Sequence, residues 1–353
     1  MDTLKLADYE YDFPKELIAQ KPLDKRDSSK LLVLARGTGA VEHKKYPDII
    51  DYLKPGDCLV INRTKVVPAR LYGKKETGGK LEALFLRPQE LEAGKSSTAL
   101  FKPFVDIGKR IIFPGGLTAV VESKTAAGET VVRFEGADPQ KILAEAGRMP
   151  LPPYIKRAGV QDGLAAFDRQ RYQTSYAQFN GSIAAPTAGL HFTEELLAAI
   201  EARGVRIARI VLHVGWGTFK PLVSQDISLH QMLPESYEID AQTAETLNET
   251  RKKGSRIVAV GTTSVRTLES AAQRASFDEK GFEAEKKETS LFVYPGHAFK
   301  AVDAIATNFH QPHSTPLVMV CAFAGRDKVL AAYNEAVKER YRLFSYGDAM
   351  LII

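Results

Sequence analysis

Cysteine is nearly absent. The 353 residues contain two, Cys58 and Cys321, each inside an apolar run (CLVIN and LVMVCAFAG), so buried free thiols are expected rather than a disulfide framework or a cysteine metal site. Long apolar stretches are also lacking. None reaches the length of a membrane span, and the mixed-charge N-terminus holds no apolar signal core, so a cytoplasmic protein without membrane association is expected. The full P-loop pattern GxxxxGK followed by Ser or Thr does not occur, and no GxGxxG marks a dinucleotide fold. HExxH and any Cys and His constellation are missing; His310 and His313 stand three apart, but no metal is expected. The serine elbow GxSxG is absent, as are repeats and low-complexity tracts. Neither sign of charge is scarce: 48 Lys and Arg against 43 Asp and Glu give a net +5, which permits nucleic-acid binding without requiring it. Nothing calls for a second subunit, and a monomer is expected.

What is present is concentrated in Tyr172 to Thr193, YQTSYAQFNGSIAAPTAGLHFT. Pro186 and Gly189 interrupt regular structure, so an extended run should break into a tight loop that brings Thr187, His191 and Thr193 to one spot. Thr193 can cap the helix EELLAAIEARG, whose Leu196, Leu197 and Ile200 form an apolar face. A loop that leads into a helix in this way points free N–H groups at a ligand. A structural turn with a satisfied His191 reads equally well.

Ahead of this segment, PKELIAQ is a helix candidate that Asp12 could cap, while Lys30 to Ala35 and Cys58 to Asn62 read as strands buried on both faces. From Val66 to about Gly136, short β-rich runs alternate with Gly, Lys and Pro turns, the texture of a small antiparallel barrel or sandwich. Its loops carry Lys74, Lys75, Lys80, Lys102, Lys109 and Arg110, which suit a phosphate backbone and suit a solvated surface as well. The helix DPQKILAEAG closes the stretch, with Asp138 as cap and Pro139 at its first position. RMPLPPYIKR, from Arg148 through Lys156 to Arg157, is stiffened by proline and reads either as a ligand contact or as a connector. Arg169, Arg171 and Tyr172 form a basic and aromatic cluster suited to a base and a phosphate.

From Val205 onward strands and helices alternate, the pattern of an α/β domain with ligands at the carboxyl ends of its strands. One strand ends at His213, before Gly215, Trp216 and Gly217, where glycines let the backbone approach a ligand closely. Another runs into Gly261, Thr262 and Thr263, then a helix opened near Ser264; its N–H groups and Arg266 read as a carboxylate or phosphate cradle. Strands are also expected at Leu291 to Tyr294 and Val302 to Ala306, then the loop TNFHQPHST, two helices flanking Gly325, and a buried strand in GDAMLII.

Taken in order, GDCLVINRTKVVPARL, RMPLPPYI, YQTSYA, GSIAAPTAGLHFT, HVGWGTFKPL, VGTTSVRTLESA, LFVYPG, TNFHQPHST and YRLFSYGDAML resemble the S-adenosylmethionine:tRNA ribosyltransferase-isomerase family of queuosine biosynthesis, nearly end to end. The resemblance implies an α/β domain formed by residues 1–64 and 149–353, interrupted by an antiparallel β-barrel over 65–148. It also implies transfer and isomerisation of the ribosyl group of S-adenosylmethionine onto the 7-aminomethyl-7-deazaguanine wobble base of tRNA, giving epoxyqueuosine and releasing adenine and methionine. S-adenosylmethionine is then a co-substrate, and tRNA, held at its anticodon region, is the partner. Such chemistry needs a base for a C5′ proton acidified by the sulfonium, an acid to assist adenine departure, and a pocket for methionine's carboxylate. His191, His213 and Glu235 are the expected proton-transfer groups. Thr187, Gly215, Gly217, Thr262, Thr263 and Arg266 are the expected co-substrate contacts, and Arg148, Lys156, Arg157, Arg169, Arg171 and Tyr172 the expected tRNA contacts. The chain departs from the family pattern at Leu233, where a histidine is usual, and at Gln311 and Pro316, where leucines are usual. A tRNA-binding protein without chemistry and a hydrolase using a His and carboxylate pair stay open as other readings.

Overall fold

A computed structural model describes residues 4–92, 94–126, 128–157 and 163–353, without the side chains of Gln89, Thr218 and Phe219. Part of the polar loop expected after Arg157 lies outside these residues. The first strands are β1 (Lys30–Leu34), β2 (Val41–Lys45), β3 (Cys58–Asn62) and β4 (Thr64–Val66). The barrel follows with β5 (Arg70–Lys75), β6 (Lys80–Phe85), β7 (Ser96–Lys102), β8 (Arg110–Ile112), β9 (Leu117–Lys124) and β10 (Thr130–Gly136), and then α1 (Pro139–Ala146). The remainder consists of α2 (Ala165–Arg171), β11 (Phe179–Ser182), α3 (Glu194–Ala202), β12 (Arg206–Leu212), β13 (Glu235–Ile239), α4 (Ala241–Lys252), β14 (Ile257–Val260), α5 (Gly261–Ala271), α6 (Phe277–Lys280), β15 (Glu285–Thr289), β16 (Ala304–Asn308), α7 (Thr315–Ala324), α8 (Arg326–Lys338) and β17 (Ala349–Ile352).

Nine strands form one sheet in the order β15-β13-β12-β3-β14-β16-β17-β1-β2. At its centre β12, β3, β14 and β16 run parallel, Ala208 and Ala259 both facing Val60 and Val260 facing Ala306. Continuous apolar runs make these strands because alternate side chains enter different cores. Cys58 and Val60 of β3 join the cluster holding Leu268 and Val318, while Leu59 and Ile61 join the one holding Phe192 and Ile200. Antiparallel β17 beside β16, with Asn308 opposite Ala349, confirms the buried strand expected in the last residues.

The six barrel strands close in the order β10-β7-β6-β5-β8-β9 around their own core, which includes Leu71, Phe85, Phe113 and Phe134. The fold is thus α/β with an inserted antiparallel barrel. At the end where the chain enters and leaves the barrel, Arg70 bridges Arg148, its N–H meeting the Arg148 carbonyl at 3.2 Å and the return bond measuring 2.8 Å. Asp138 caps α1 through the Gln140 N–H at 2.9 Å, and Thr193 caps α3 through the Leu196 N–H at 3.1 Å, both as their sequences indicate.

Two expected elements differ. PKELIAQ makes only a 3-10 turn, Lys15–Leu17, without a side-chain cap, because the chain beyond it is drawn into bonds with Leu343: Ala19 N–H to its carbonyl at 3.3 Å and Leu343 N–H to the Leu17 carbonyl at 2.8 Å. The edge strand expected at Leu291 to Tyr294 instead lies earlier, as β15. The Leu291 N–H turns to Thr289 Oγ1 at 3.1 Å and its carbonyl accepts from Arg266 Nε at 3.2 Å, so Leu291 wraps a buried guanidinium instead of pairing in the sheet. Among the described residues no helix is long and apolar enough to cross a membrane.

Candidate active site

The central parallel strands end at a cavity. Val214 lies just past β12, Gly261 and Thr262 just past β14, and Asn308 closes β16; Thr187, Ala184 and Pro186 come in from the loop after β11, and Tyr154 and Ser345 cover one side. Gly261 has φ 80, a conformation that lets the chain pass directly from strand to helix, so α5 begins there rather than near Ser264. No side chain caps this helix. Its first N–H groups therefore face the cavity with the positive end of the helix. Thr263 is 7% exposed, lines the cavity, and its Oγ1 has no hydrogen-bond partner.

Of the expected co-substrate contacts, the structure brings Thr187, Thr262 and Thr263 together here. Arg266 lies one turn deeper and is buried. Its Nη1 is bonded to Glu235 Oε2, Nε donates to the Leu291 carbonyl at 3.2 Å and Nη2 to the Thr289 carbonyl at 3.3 Å. Every guanidinium nitrogen has a protein partner, and Glu235 already pairs with the charge that a substrate carboxylate would need. Glu235 is equally committed, its Oε1 accepting the Gly215 N–H at 2.8 Å. The pair fixes β13, α5 and the glycine turn to one another, and Glu235 does not line the cavity. Gly217 gives close packing of another kind, since a Cβ there would stand 3.1 Å from Leu233 Cβ.

The two histidines expected to move protons also sit outside the cavity lining. His191 is 4% exposed and stacked on Tyr46 at 4.7 Å; Nδ1 is 2.8 Å from Ser29 Oγ and Nε2 is 3.1 Å from Asn308 Nδ2. Asn308 Oδ1 accepts from Thr187 Oγ1 at 2.9 Å, which orients the amide so that Nδ2 donates to His191. His191 is then the neutral tautomer with Nδ1–H donating to Ser29, in keeping with burial, which pushes its pKa down to about 4. Its hydrogen-bonded route to the cavity runs through Asn308 and Thr187. His213 Nδ1 meets Thr64 Oγ1 at 2.8 Å, Thr64 meets Ser182 Oγ at 2.7 Å, and Ser182 accepts the Val214 N–H at 2.7 Å. Burial, and after it the Lys286 charge, lowers the His213 pKa. Gly181 packs flat on this ring, where a Cβ would approach Cε1 to 2.6 Å.

Sequence reasoning passed over the residues that do line the cavity beside them. His310 rests on Thr307 Oγ1 through Nε2 at 2.9 Å, and burial holds its pKa well below the ordinary value. His313 Nε2 lies 2.6 Å from Glu10 Oε2, its backbone at φ 54. Asn308 and His310 are legible as the polar end of a strand in an α/β pattern, although the three-residue spacing of His310 and His313 reads first as a metal pair. Among the described residues no three His, Cys, Asp or Glu side chains group closely enough to hold an ion.

The expected tRNA contacts fare unevenly. Tyr172 is 0% exposed, meets Tyr346 edge-on at 5.9 Å and lies in the cavity wall rather than on an outer surface. Arg157 forms a bidentate pair with Asp168 at 2.7 and 2.8 Å. Arg169 donates to the Ala144 and Gly147 carbonyls at 2.9 and 3.0 Å, and Arg171 to the Asp24 and Leu23 carbonyls at 3.2 and 2.5 Å. These arginines clamp the chain on its return from the barrel. Arg148 is held by its backbone against Arg70, and the side chain of Lys156 is exposed.

A cavity at the carboxyl ends of three parallel strands, β12, β14 and β16, lined by an uncapped helix start, in a chain that also carries an inserted closed barrel, defines an α/β protein with a strand-end ligand pocket. The chain matches the family described as "Queuosine biosynthesis protein" over residues 6–352, and it belongs to that family. It is 50% identical over 354 residues to a protein of Anaeromyxobacter sp. (strain Fw109-5) named S-adenosylmethionine:tRNA ribosyltransferase-isomerase, with 99% of each chain covered. A relative of the same name from Thermoanaerobacter sp. (strain X514) is 48% identical, with 99% of this chain and 100% of the relative covered. Among solved structures it is similar to the S-adenosylmethionine tRNA ribosyltransferase from Thermotoga maritima, at 39% identity and TM-score 0.55, with 98% of this chain and 100% of that one covered.

Proposed function

We propose that this chain transfers and isomerises the ribosyl moiety of S-adenosylmethionine onto the 7-aminomethyl-7-deazaguanine wobble base of tRNA, giving epoxyqueuosine-tRNA and releasing adenine and methionine in the cytoplasm. Family membership over residues 6–352 is the observation that carries this reading. The cavity supports it. An uncapped helix start with the unpartnered Thr263 hydroxyl suits a carboxylate, and the Thr187 hydroxyl, which donates to Asn308 and can still accept, suits a ribose hydroxyl. S-adenosylmethionine supplies the sulfonium that acidifies its own C5′ proton, and the residues of this chain have to hold it and handle protons.

In this reading His310, a neutral imidazole at the cavity wall, accepts or returns a proton. His191 acts through Asn308, holding the amide so that its Oδ1 receives the Thr187 hydroxyl. The buried Glu235 and Arg266 pair holds the start of α5 and the Gly215 turn in register.

Incubation with S-adenosylmethionine and tRNA bearing the aminomethyl base should release adenine and methionine in step with incorporation into tRNA, and tRNA lacking that base should give none. Binding of tRNA without release would mark a binding protein, and release without tRNA a hydrolase.

A further inference from the structure

We propose that Lys220 supplies the cation that holds the amino-acid carboxylate of the sulfonium substrate against the first turn of α5. This rests on the ribosyl-transfer reading, and it moves the charge of the site from Arg266 to a residue that neither sequence pattern nor comparison assigns.

Arg266 lines the smaller recess, but its charge is already paired with the buried Glu235 and its nitrogens are bonded to Glu235, Leu291 and Thr289, so a second carboxylate calls for a further cation. The start of α5 alone supplies only partial charge. Two further observations mark it as a ligand site: Thr263 is 7% exposed with Oγ1 unpartnered, and a second, smaller recess, apolar at Met232, Leu291, Phe292 and Met319 and with Arg266 in its wall, shares Thr262, Thr263 and Pro316 with the main cavity. A carboxylate lying on Thr262 and Thr263 would have an apolar slot for the methylene chain behind it.

Lys220 lines the same cavity. Its backbone is fixed on both sides, with its own N–H to the Gly217 carbonyl at 3.2 Å and the Leu222 N–H to the His313 carbonyl at 2.9 Å. Its side chain is exposed and makes no hydrogen bond or ion pair among the described residues. Of the other basic side chains of the lining, His310 is bonded to Thr307 and His313 Nε2 stands 2.6 Å from Glu10 Oε2. Lys220 also stands on the side of the smaller recess. After burial, its charge is what lowers the pKa of His230, whose ring meets Phe292 edge-on at 5.1 Å. A lysine ammonium on one side and the helix N–H groups on the other give a carboxylate charge-assisted bonds from both directions.

The test is equilibrium binding to the whole protein of S-adenosylmethionine and of its decarboxylated analogue, which keeps the sulfonium, amine and adenosine but lacks the carboxylate. The unaltered chain should bind the analogue more weakly. Lys220→Met should weaken S-adenosylmethionine roughly ten-fold, the scale of a charged hydrogen bond, leave the analogue unchanged, and leave tRNA affinity unchanged; Lys220→Arg should restore most of the loss. Equal losses for both ligands would overturn the assignment, since the carboxylate would then not be what Lys220 meets. A fall in tRNA affinity with S-adenosylmethionine unchanged would overturn it in favour of a tRNA phosphate. Failure of the unaltered chain to bind S-adenosylmethionine would remove the ribosyl-transfer reading itself, whereas normal adenine release with no discrimination against the analogue would remove only this inference.

Discussion

Glu235 and Arg266 illustrate what a single buried pair does here. Removing one partner leaves the other charged and without water, at a cost of about 3 to 5 kcal/mol. Glu235→Ala should therefore lower the denaturant midpoint of unfolding strongly, and a midpoint close to that of the unaltered chain would show that the pair is not structural. His191 makes a different prediction through pH. Its folded pKa, about 4, is depressed below the ordinary 6.5 by burial. Between these values the unfolded chain takes up a proton that the folded chain refuses, so stability is full above pH 6.5 and falls as pH drops toward 4. The loss should approach roughly 3 kcal/mol. Urea unfolding at pH 7 and pH 4.5 should show it, and His191→Gln should remove that part of the difference; identical pH dependence in the variant would reject a neutral His191.

At the scale of elements, strand ends decide the site. β16 delivers Asn308 and His310, while the end of β12 delivers Val214 to the cavity and sends His213 to Thr64 on the other side of the chain. Single-turnover adenine release should fall roughly 10²-fold or more in His310→Ala. His213→Ala should cost less, and the reverse order would return the proton to His213. The strands themselves were legible in sequence. KLLVL and CLVIN are apolar at consecutive positions because both faces are covered, and the barrel shows as short runs between glycine and lysine turns. What escaped the sequence was long-range pairing. Nothing local in ESYEI says that Glu235 meets Arg266 thirty-one positions on, and nothing in LFVYPG says that Leu291 gives its carbonyl to that guanidinium. LFVYPG therefore reads locally as a strand, although its backbone serves Arg266 instead. Tyr172 shows the same limit: its neighbours Arg169 and Arg171 read as a ligand surface, but distant carbonyls take them and the tyrosine itself is buried.

For the whole molecule the question is which surface meets tRNA. The arginines of the return segment are tied to carbonyls, so their positive charge is already fixed in place, whereas the barrel keeps exposed lysines at one end. Lys74 faces Lys80 across the β5 and β6 ladder, Lys102 lies opposite Glu82, and Lys109 precedes β8; all four lie away from the Arg70 and Arg148 bridge where the barrel joins the sheet. Phe104 and Ile107 are exposed beside them, 63% and 59%, so stacking or apolar contact is available together with charge. Each lysine that neutralises a phosphate releases about 0.7 to 0.9 of a counterion. If all four engage, changing them together to glutamine should reduce the slope of log affinity against log salt by about three, without moving the unfolding midpoint. Arg169→Ala should do the opposite, leaving the slope in place and lowering the midpoint, because it removes a clamp between α2 and the carbonyls of Ala144 and Gly147. An unchanged slope in the lysine variant would place tRNA off the barrel, and the exposed Lys156 side of the return segment would be the surface to test next.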